Sequence, residues 1–181
     1  NKEIFARIPN LEILECFENN IKERFGNVVK RDNLALNISN ALLEGNVDFV
    51  QNKLGPLLRS FVSIRDTATR APHENYYHGF LNGIFTNCKD NLGEYHSNFE
   101  SGDGYSDILF KDIDCRKVAI IELKSAPIGS DIETLSEKAI SQIEDKKYAS
   151  PLMSNKTVKS IYGYGITFAG KSCAVSVKKL K

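Results

Sequence analysis

The most constraining feature of the chain is a pair of apolar runs joined directly to charged residues. Ile108-Leu109-Phe110 follows Asp107, and Val118-Ala119-Ile120-Ile121 leads into Glu122-Leu123-Lys124. Only a short connection separates the runs, so we expect two neighbouring antiparallel strands, with the start of the first beside the end of the second. Side chains alternate along a strand, which places Glu122 and Lys124 on one face. The pattern therefore predicts that Asp107, Glu122 and Lys124 converge at one edge of a sheet.

This trio of charges favours a particular chemistry. Two carboxylates that point together repel each other unless a cation or a proton lies between them. Oxygen ligands of this kind suit Mg²⁺ or Mn²⁺. A lysine beside such a site can orient an attacking water or stabilise charge on a phosphoryl oxygen. The alternative interpretation is that Glu122 and Lys124 form an exposed ion pair of little energetic value.

The remaining periodicities place these strands in a mixed fold. They predict helices over 10–25 and 34–43 and a third after Asn46 that kinks or breaks at Gly55-Pro56. After residue 70 they predict a helix over 73–87, strands 95–100, 105–110 and 117–124, a helix 131–148, and strands 160–167 and 173–178. We therefore expect an α/β protein with an α+β mixed sheet. A helical N-terminal region, residues 1–70, would pack on a core formed by residues 71–181.

Composition sets outer limits on this interpretation. With 181 residues, 41% hydrophobic and 26% charged, the chain has the content of an ordinary globular domain. No apolar run approaches the roughly 18 residues that a membrane span needs. The first residue is not methionine, so we take the chain as a fragment whose targeting information could have been lost. Four scattered cysteines show no metal-binding spacing and are interpreted as free thiols.

Charge is unevenly distributed along the chain. Residues 71–124 hold 5 basic and 9 acidic groups, whereas residues 125–181 hold 9 basic and 5 acidic groups. An acidic middle could hold a cation, and a basic tail could meet phosphate. The alternative is that both are ordinary solvated surface.

The spacing of the charged residues, together with the surrounding sequence, resembles a known family. Asp107 is followed after fourteen residues by Glu122-Leu123-Lys124, which looks like the motif of the PD-(D/E)xK nuclease superfamily. One bacterial branch of it, usually found C-terminal to an AAA-ATPase-like domain, is similar over nearly the whole chain. The similar segments are Glu74–Phe80, Ser97–Gly104, Ala139–Ile143 with Lys146 and Tyr148, and Tyr164–Phe168 with Lys171 and Cys173. The resemblance implies a restriction-endonuclease-like αβββαβ core.

Residue roles follow from this resemblance. It implies that Mg²⁺ or Mn²⁺ is held by Glu74, Asp107, Glu122 and the main-chain carbonyl of Leu123. Lys124 would orient the attacking water, and Gln142 would be a supporting catalytic residue. Lys146 and Tyr105 would contact nucleic acid. Two positions depart from the family pattern: Ser106 replaces the name-giving proline, and Tyr105 stands where this branch often carries arginine.

The function expected from these features is metal-dependent hydrolysis of phosphodiester bonds in nucleic acid, with DNA as the first candidate. One alternative is a catalytically inactive module that binds nucleic acid or protein within a larger chain. Another is hydrolysis of a different phosphate compound. Expected partners are nucleic acid, an AAA-ATPase-like domain in the same full-length chain and a second copy of the protein, with no membrane. We expect the bacterial cytoplasm, or delivery as part of a larger effector.

Other residues admit two interpretations each. His73, His78 and His96 could supply a general base or serve as hydrogen-bonding residues of the fold. Gly102-Asp103-Gly104 resembles part of a phosphate loop, but a tight turn explains it as well. The tyrosines around the strands could stack on bases or belong to the core and its rim; they are Tyr76, Tyr77, Tyr95 and Tyr105.

Overall fold

A computed structural model describes residues 33–62 and 73–181 of the protein. The helix expected over 10–25 lies outside these residues. The elements, in chain order, are α1 (Leu34–Glu44), α2 (Val47–Phe61), α3 (His73–Thr86), a 3₁₀ turn (Lys89–Asn91), β1 (Leu92–Ser101), β2 (Gly104–Asp112), β3 (Lys117–Ser125), α4 (Ile132–Asp145), α5 (Ser150–Met153), β4 (Ser160–Ala169) and β5 (Ser172–Lys179).

One five-stranded sheet organises these elements, with the strands side by side in the order in which they occur along the chain. All neighbours are antiparallel except β3 and β4, which are parallel. Parallel strands cannot be joined by a tight turn, and here the segment containing α4 and α5 makes the crossover. The α/β class with an α+β mixed sheet is confirmed, and so is the antiparallel pairing of the two opening runs.

The two faces of the sheet carry separate cores, and β3 contributes to both. Ala119, Ile121 and Leu123 pack in the larger core, which includes residues of α1, α2 and α3. Val118 and Ile120 point the other way, into a smaller core with Ile143 of α4. By the same alternation, Glu122 and Lys124 belong to the face that α4 covers.

Helix α2 differs from its prediction. It runs from Val47 to Phe61 with Pro56 inside, so of the kink or break expected at Gly55-Pro56 the break is wrong. Proline removes one backbone hydrogen bond and crowds the preceding turn. Burial of Leu54, Leu57 and Leu58 on the face that meets the core holds the helix together across that defect.

Helix α4 also differs, because it ends at Asp145 rather than reaching Tyr148. Lys147 adopts a left-handed conformation with φ of 53°, and the chain turns there into the short, unpredicted α5. Tyr148 is nevertheless buried, so its apolar ring continued the helical pattern in the sequence although the backbone had left the helix.

Two further expectations concern membranes and cysteines. Within the two described stretches, none of the helices has the length and apolar character needed to cross a bilayer. Cys88, Cys115 and Cys173 are free thiols, as expected, and Cys16 lies outside the described residues.

Candidate active site

The site is built around Glu122 and Lys124 at the end of β3. Lys124 Nζ donates to Glu122 Oε1 over 2.7 Å. The Glu122 side chain is only 4% exposed and that of Lys124 is 28% exposed. The ion pair therefore exists, but its carboxylate end is withdrawn from water, so the interpretation as an exposed pair is wrong.

Asp107 lies next to this pair on β2. The β2–β3 pairing matches Ile108 with Ile121, so Asp107 is one residue further towards the end where Glu122 stands. Its carboxylate turns to the neighbouring strand, where Oδ2 accepts from the main-chain N–H of Leu123 over 2.7 Å. Burial raises the pKa of Asp107, and the Leu123 hydrogen bond opposes that rise. The predicted convergence of the three charges at one sheet edge is confirmed.

Gln142 reaches the site from α4. Its Nε2 donates to Glu122 Oε1, the same oxygen that Lys124 contacts. It also lies 3.4 Å from the hydroxyl of Tyr148. Glu122 Oε1 is thereby saturated, while Glu122 Oε2 is buried with no partner among the described residues. Such an unpaired polar atom costs roughly 1–3 kcal/mol unless a ligand satisfies it.

Electrostatics agree with this picture of a carboxylate whose charge Lys124 offsets only in part. Burial, helped by the charges of Asp107 and Glu74, raises the pKa of Glu122 to about 7, although the Lys124 hydrogen bond acts in the opposite direction. Burial alone would lower the pKa of Lys124, but the bond to Glu122 and the surrounding carboxylates raise it above its ordinary value. The site thus carries more negative charge than one lysine neutralises.

Glu74 lies in the first turn of α3 and is half-buried. Its charge contributes to the raised pKa of both Glu122 and Lys124, so it acts on the same site from the opposite layer. The structure brings Glu74, Asp107, Glu122, Lys124 and Gln142 together. It leaves Tyr105 at 62% exposure, on β2 two residues before Asp107.

The close approach of α4 depends on Gly165 of β4. This glycine is paired with Glu122 in the parallel register. A Cβ at Gly165 would lie 1.9 Å from the main-chain oxygen of Ser136, on α4. Any larger residue would therefore push α4 away from the sheet, and Gln142 would move with it.

His78 supports Asp107 from α3. Its Nε2 donates to the main-chain oxygen of Asp107 over 3.0 Å and lies 3.2 Å from Ser97 Oγ. Asn82 continues this network, because its Nδ2 donates to Ser97 Oγ over 3.0 Å. Of the two interpretations offered for His78, this contact favours the hydrogen-bonding one. His96 instead lies against Glu94 and Phe99.

The Gly102-Asp103-Gly104 segment is a tight turn between β1 and β2. Its Asp103 N–H donates to the oxygen of Lys146 over 2.8 Å, and Ser101 Oγ donates to the oxygen of Tyr148 over 2.6 Å. Gly102 has φ of +63°, and a Cβ there would lie 2.3 Å from the oxygen of Lys147. The turn therefore holds the chain beyond α4, where Tyr148 contacts Gln142.

Sequence reasoning assigned no role to Tyr148 or Ser101. Both belong to contacts between segments far apart in the chain, which no local pattern reveals. The one available signal was an otherwise unexplained tyrosine shortly after Gln142. Tyr77 is a different case: it stacks on Phe168 and donates to Gly170, so it belongs to the core.

The donor set fits a hard divalent cation. Asp107 and Glu122 supply carboxylate oxygens, and Glu122 Oε2 is buried without a partner in the described part of the chain. Within residues 33–62 and 73–181, no three His, Cys, Asp or Glu side chains form a metal cage by themselves. Remaining ligands would therefore be main-chain or water oxygens.

Comparison with known proteins identifies the family. A family model described as the PD-(D/E)XK nuclease superfamily matches residues 72–178. No curated protein matches the chain significantly. The matched region contains every element from α3 to β4 and nearly all of β5, including each residue of the site described above. The chain belongs to the PD-(D/E)XK nuclease superfamily.

Proposed function

We propose that the protein is a divalent-metal-dependent nuclease that hydrolyses phosphodiester bonds, with DNA as the substrate to test first. The single observation that carries this proposal is Glu122 Oε2, which lies buried beside Asp107 and Lys124 with no hydrogen-bond partner in residues 33–62 and 73–181. A buried carboxylate oxygen without a donor is best satisfied by a cation. Membership of a nuclease superfamily supports the same reaction class.

Asp107 and Glu122 would hold Mg²⁺ or Mn²⁺, with Glu74 adding negative charge and the Leu123 carbonyl as a further ligand. The bound cation would lower the pKa of a water and stabilise charge on the phosphoryl oxygens. Gln142 and Lys124 both bind Glu122 Oε1, which leaves Oε2 for the cation. The Lys124 ammonium would also orient the attacking water and stabilise charge that develops on the phosphoryl group.

The test is cleavage of labelled DNA and RNA with Mg²⁺ or Mn²⁺ and with EDTA. Asp107→Asn and Lys124→Ala should each lower the rate by about 100-fold or more, since each removes charge stabilisation in a water-poor site. Asp112→Asn and Lys111→Ala are matched controls. Asp112 accepts from main-chain N–H groups of a turn, and Lys111 pairs with Glu94 over 2.8 Å.

The outcomes separate the alternatives. Full activity in Asp107→Asn and Lys124→Ala would overturn the proposal, and identical residual activity in both would indicate a contaminating nuclease. Metal binding without cleavage of DNA or RNA would favour another phosphodiester substrate, checked with p-nitrophenyl phosphodiesters. Absence of metal binding at millimolar Mn²⁺ would favour the non-catalytic module.

A further inference from the structure

The end of α4 divides the charge of the chain sharply between two stretches. Residues 73–145, which contain the site, hold 6 Lys or Arg and 14 Asp or Glu. Residues 146–181 hold 8 Lys and neither Asp nor Glu. A polyanion approaching the site would be repelled by the first stretch and attracted by the second. Of these two stretches, only the lysine-rich one favours binding of a nucleic-acid chain.

Three of these lysines border a surface groove of about 400 Å³ between the end of α4, α5 and the end of β5. Lys147, Lys178 and Lys179 line it, and we call it the lysine groove. Lys178 pairs with Glu144 over 2.7 Å, and Lys147 with Asp103 over 3.4 Å. All four side chains of these pairs are at least 41% exposed. Such exposed pairs are worth little and can exchange for phosphate contacts.

The lysines of the lysine groove begin about one helical turn beyond the site residue Gln142. Lys146, next to Lys147, donates its main-chain N–H to the oxygen of Gln142 over 3.0 Å. Gln142 in turn holds Glu122. One helical turn therefore separates the residue that contacts the carboxylate from the first exposed lysine of the basic segment. A nucleic-acid backbone leaving the site over the end of α4 would meet Lys146 and then the groove.

Binding of a nucleic-acid backbone that left the site in the other direction would be less favourable. It would pass over the β1–β2 side of the sheet, where the half-buried or exposed side chains include Glu94, Glu100, Asp112 and Asp114. Lys111 there is already paired with Glu94, and its side chain is only 12% exposed. On that side phosphates would meet more carboxylates than exposed cationic groups, which there include Lys89 and Arg116.

We propose that the lysine groove binds phosphates of the substrate's backbone away from the scissile bond, so that the nucleic acid crosses the end of α4 towards β5. This inference rests on the proposed function for the identity of the substrate. The recognition is by charge and carries no base sequence information, because lysines contact phosphate as flexible point charges.

The test is fluorescence anisotropy of labelled duplex and single-stranded DNA in Ca²⁺ and in EDTA, over a range of salt. The test variant is Lys147→Gln with Lys179→Gln. The control is Lys89→Gln with Lys117→Gln, since Lys89 is exposed before β1 and Lys117 opens β3 at the end opposite Glu122. Removing one lysine–phosphate interaction should reduce the slope of log K against log salt by about 0.7–0.9. We expect the slope to fall by about 1.5 in the test variant and to stay the same in the control.

Activity gives a second readout. The test variant should raise KM for DNA about tenfold while hydrolysis of bis(p-nitrophenyl) phosphate is unchanged, because only the long substrate reaches the groove. An unchanged salt slope in the test variant would overturn the inference, even if DNA is cleaved. So would lysine-dependent binding to phosphatidylserine vesicles without binding to DNA.

Failure of the proposed nuclease activity would give different results from failure of the lysine-groove proposal. Lysine-dependent DNA binding by a protein that cleaves nothing with any metal would leave the groove intact and remove the nuclease activity. Normal metal-dependent cleavage, with a salt slope that does not change when Lys147 and Lys179 are replaced, would support the nuclease activity and overturn the lysine-groove proposal.

Discussion

Glu122→Gln tests whether an ionised carboxylate at position 122 lowers the stability of the metal-free protein. Burial raises the pKa of Glu122 to about 7, whereas its ordinary value is 4.5. Between these pH values the folded state holds a proton that the unfolded state releases, so stability falls as pH rises through this window. The difference of about 2.5 pK units, at about 1.4 kcal/mol each, corresponds to about 3 kcal/mol. Glutamine has nearly the same shape and does not titrate, so the stability of the Glu122→Gln variant does not fall in this way as pH rises.

The assay is chemical unfolding in EDTA at several values between about pH 5 and pH 8. The free energy of unfolding of Glu122→Gln, relative to wild type, should increase by about 2–3 kcal/mol across this range. Near pH 5 the side chain at position 122 is neutral in the folded form of both proteins, so the measurement at that pH serves as the internal reference. A difference that stays constant with pH would refute the argument that an ionised Glu122 is buried at a cost.

Asp131→Asn is the matched control because its pKa shift has the opposite sign. Hydrogen bonds from the hydroxyl and the main-chain N–H of Thr134 lower the pKa of Asp131 below its ordinary value. Its stabilisation is lost only as pH falls through that lowered pKa, and it is constant above about pH 6. The relative stability of Asp131→Asn should therefore not change between about pH 6 and pH 8.

Gly165→Ala should destabilise the protein by about 2 kcal/mol or more, because its Cβ would lie 1.9 Å from the oxygen of Ser136; urea unfolding measures this. Gly79→Ala is the control, since a Cβ there has nothing within 4 Å and alanine favours the helix by about 0.5–1 kcal/mol. Equal stability of the two variants would contradict the tight α4 packing. Gln142→Ala should weaken Mn²⁺ binding about tenfold in a calorimetric titration, because Glu122 loses the amide that orients it. Unchanged affinity would exclude that positioning role.

The sequence predicted the fold and the centre of the site because both depend on short-range regularities. Alternation in β2 and β3 defined which side chains share a face, and a short connection implied their antiparallel pairing. Those two rules suffice to bring Asp107 to the edge where Glu122 and Lys124 lie. The same alternation assigns Glu122 and Lys124 to one face of β3 without knowledge of its neighbours.

The parts that could not be predicted depend on long-range packing. Pro56 stays inside α2 because tertiary contacts of Leu57 and Leu58 outweigh a local defect. Tyr148 lies outside α4 because Lys147 turns the backbone, and the β1–β2 turn holds it there. The state of Glu122 could not be predicted either. Its Oε2 has no partner in the described part of the chain because Gln142 and Lys124 both donate to the other oxygen.

The most direct test of the central claim is a crystal structure of the protein soaked in Mn²⁺, with anomalous scattering used to locate the ion. The account predicts an anomalous peak between the carboxylates of Asp107 and Glu122, within bonding distance of Glu122 Oε2. Manganese-dependent cleavage together with a peak elsewhere, or with no peak at this edge of the sheet, would contradict it.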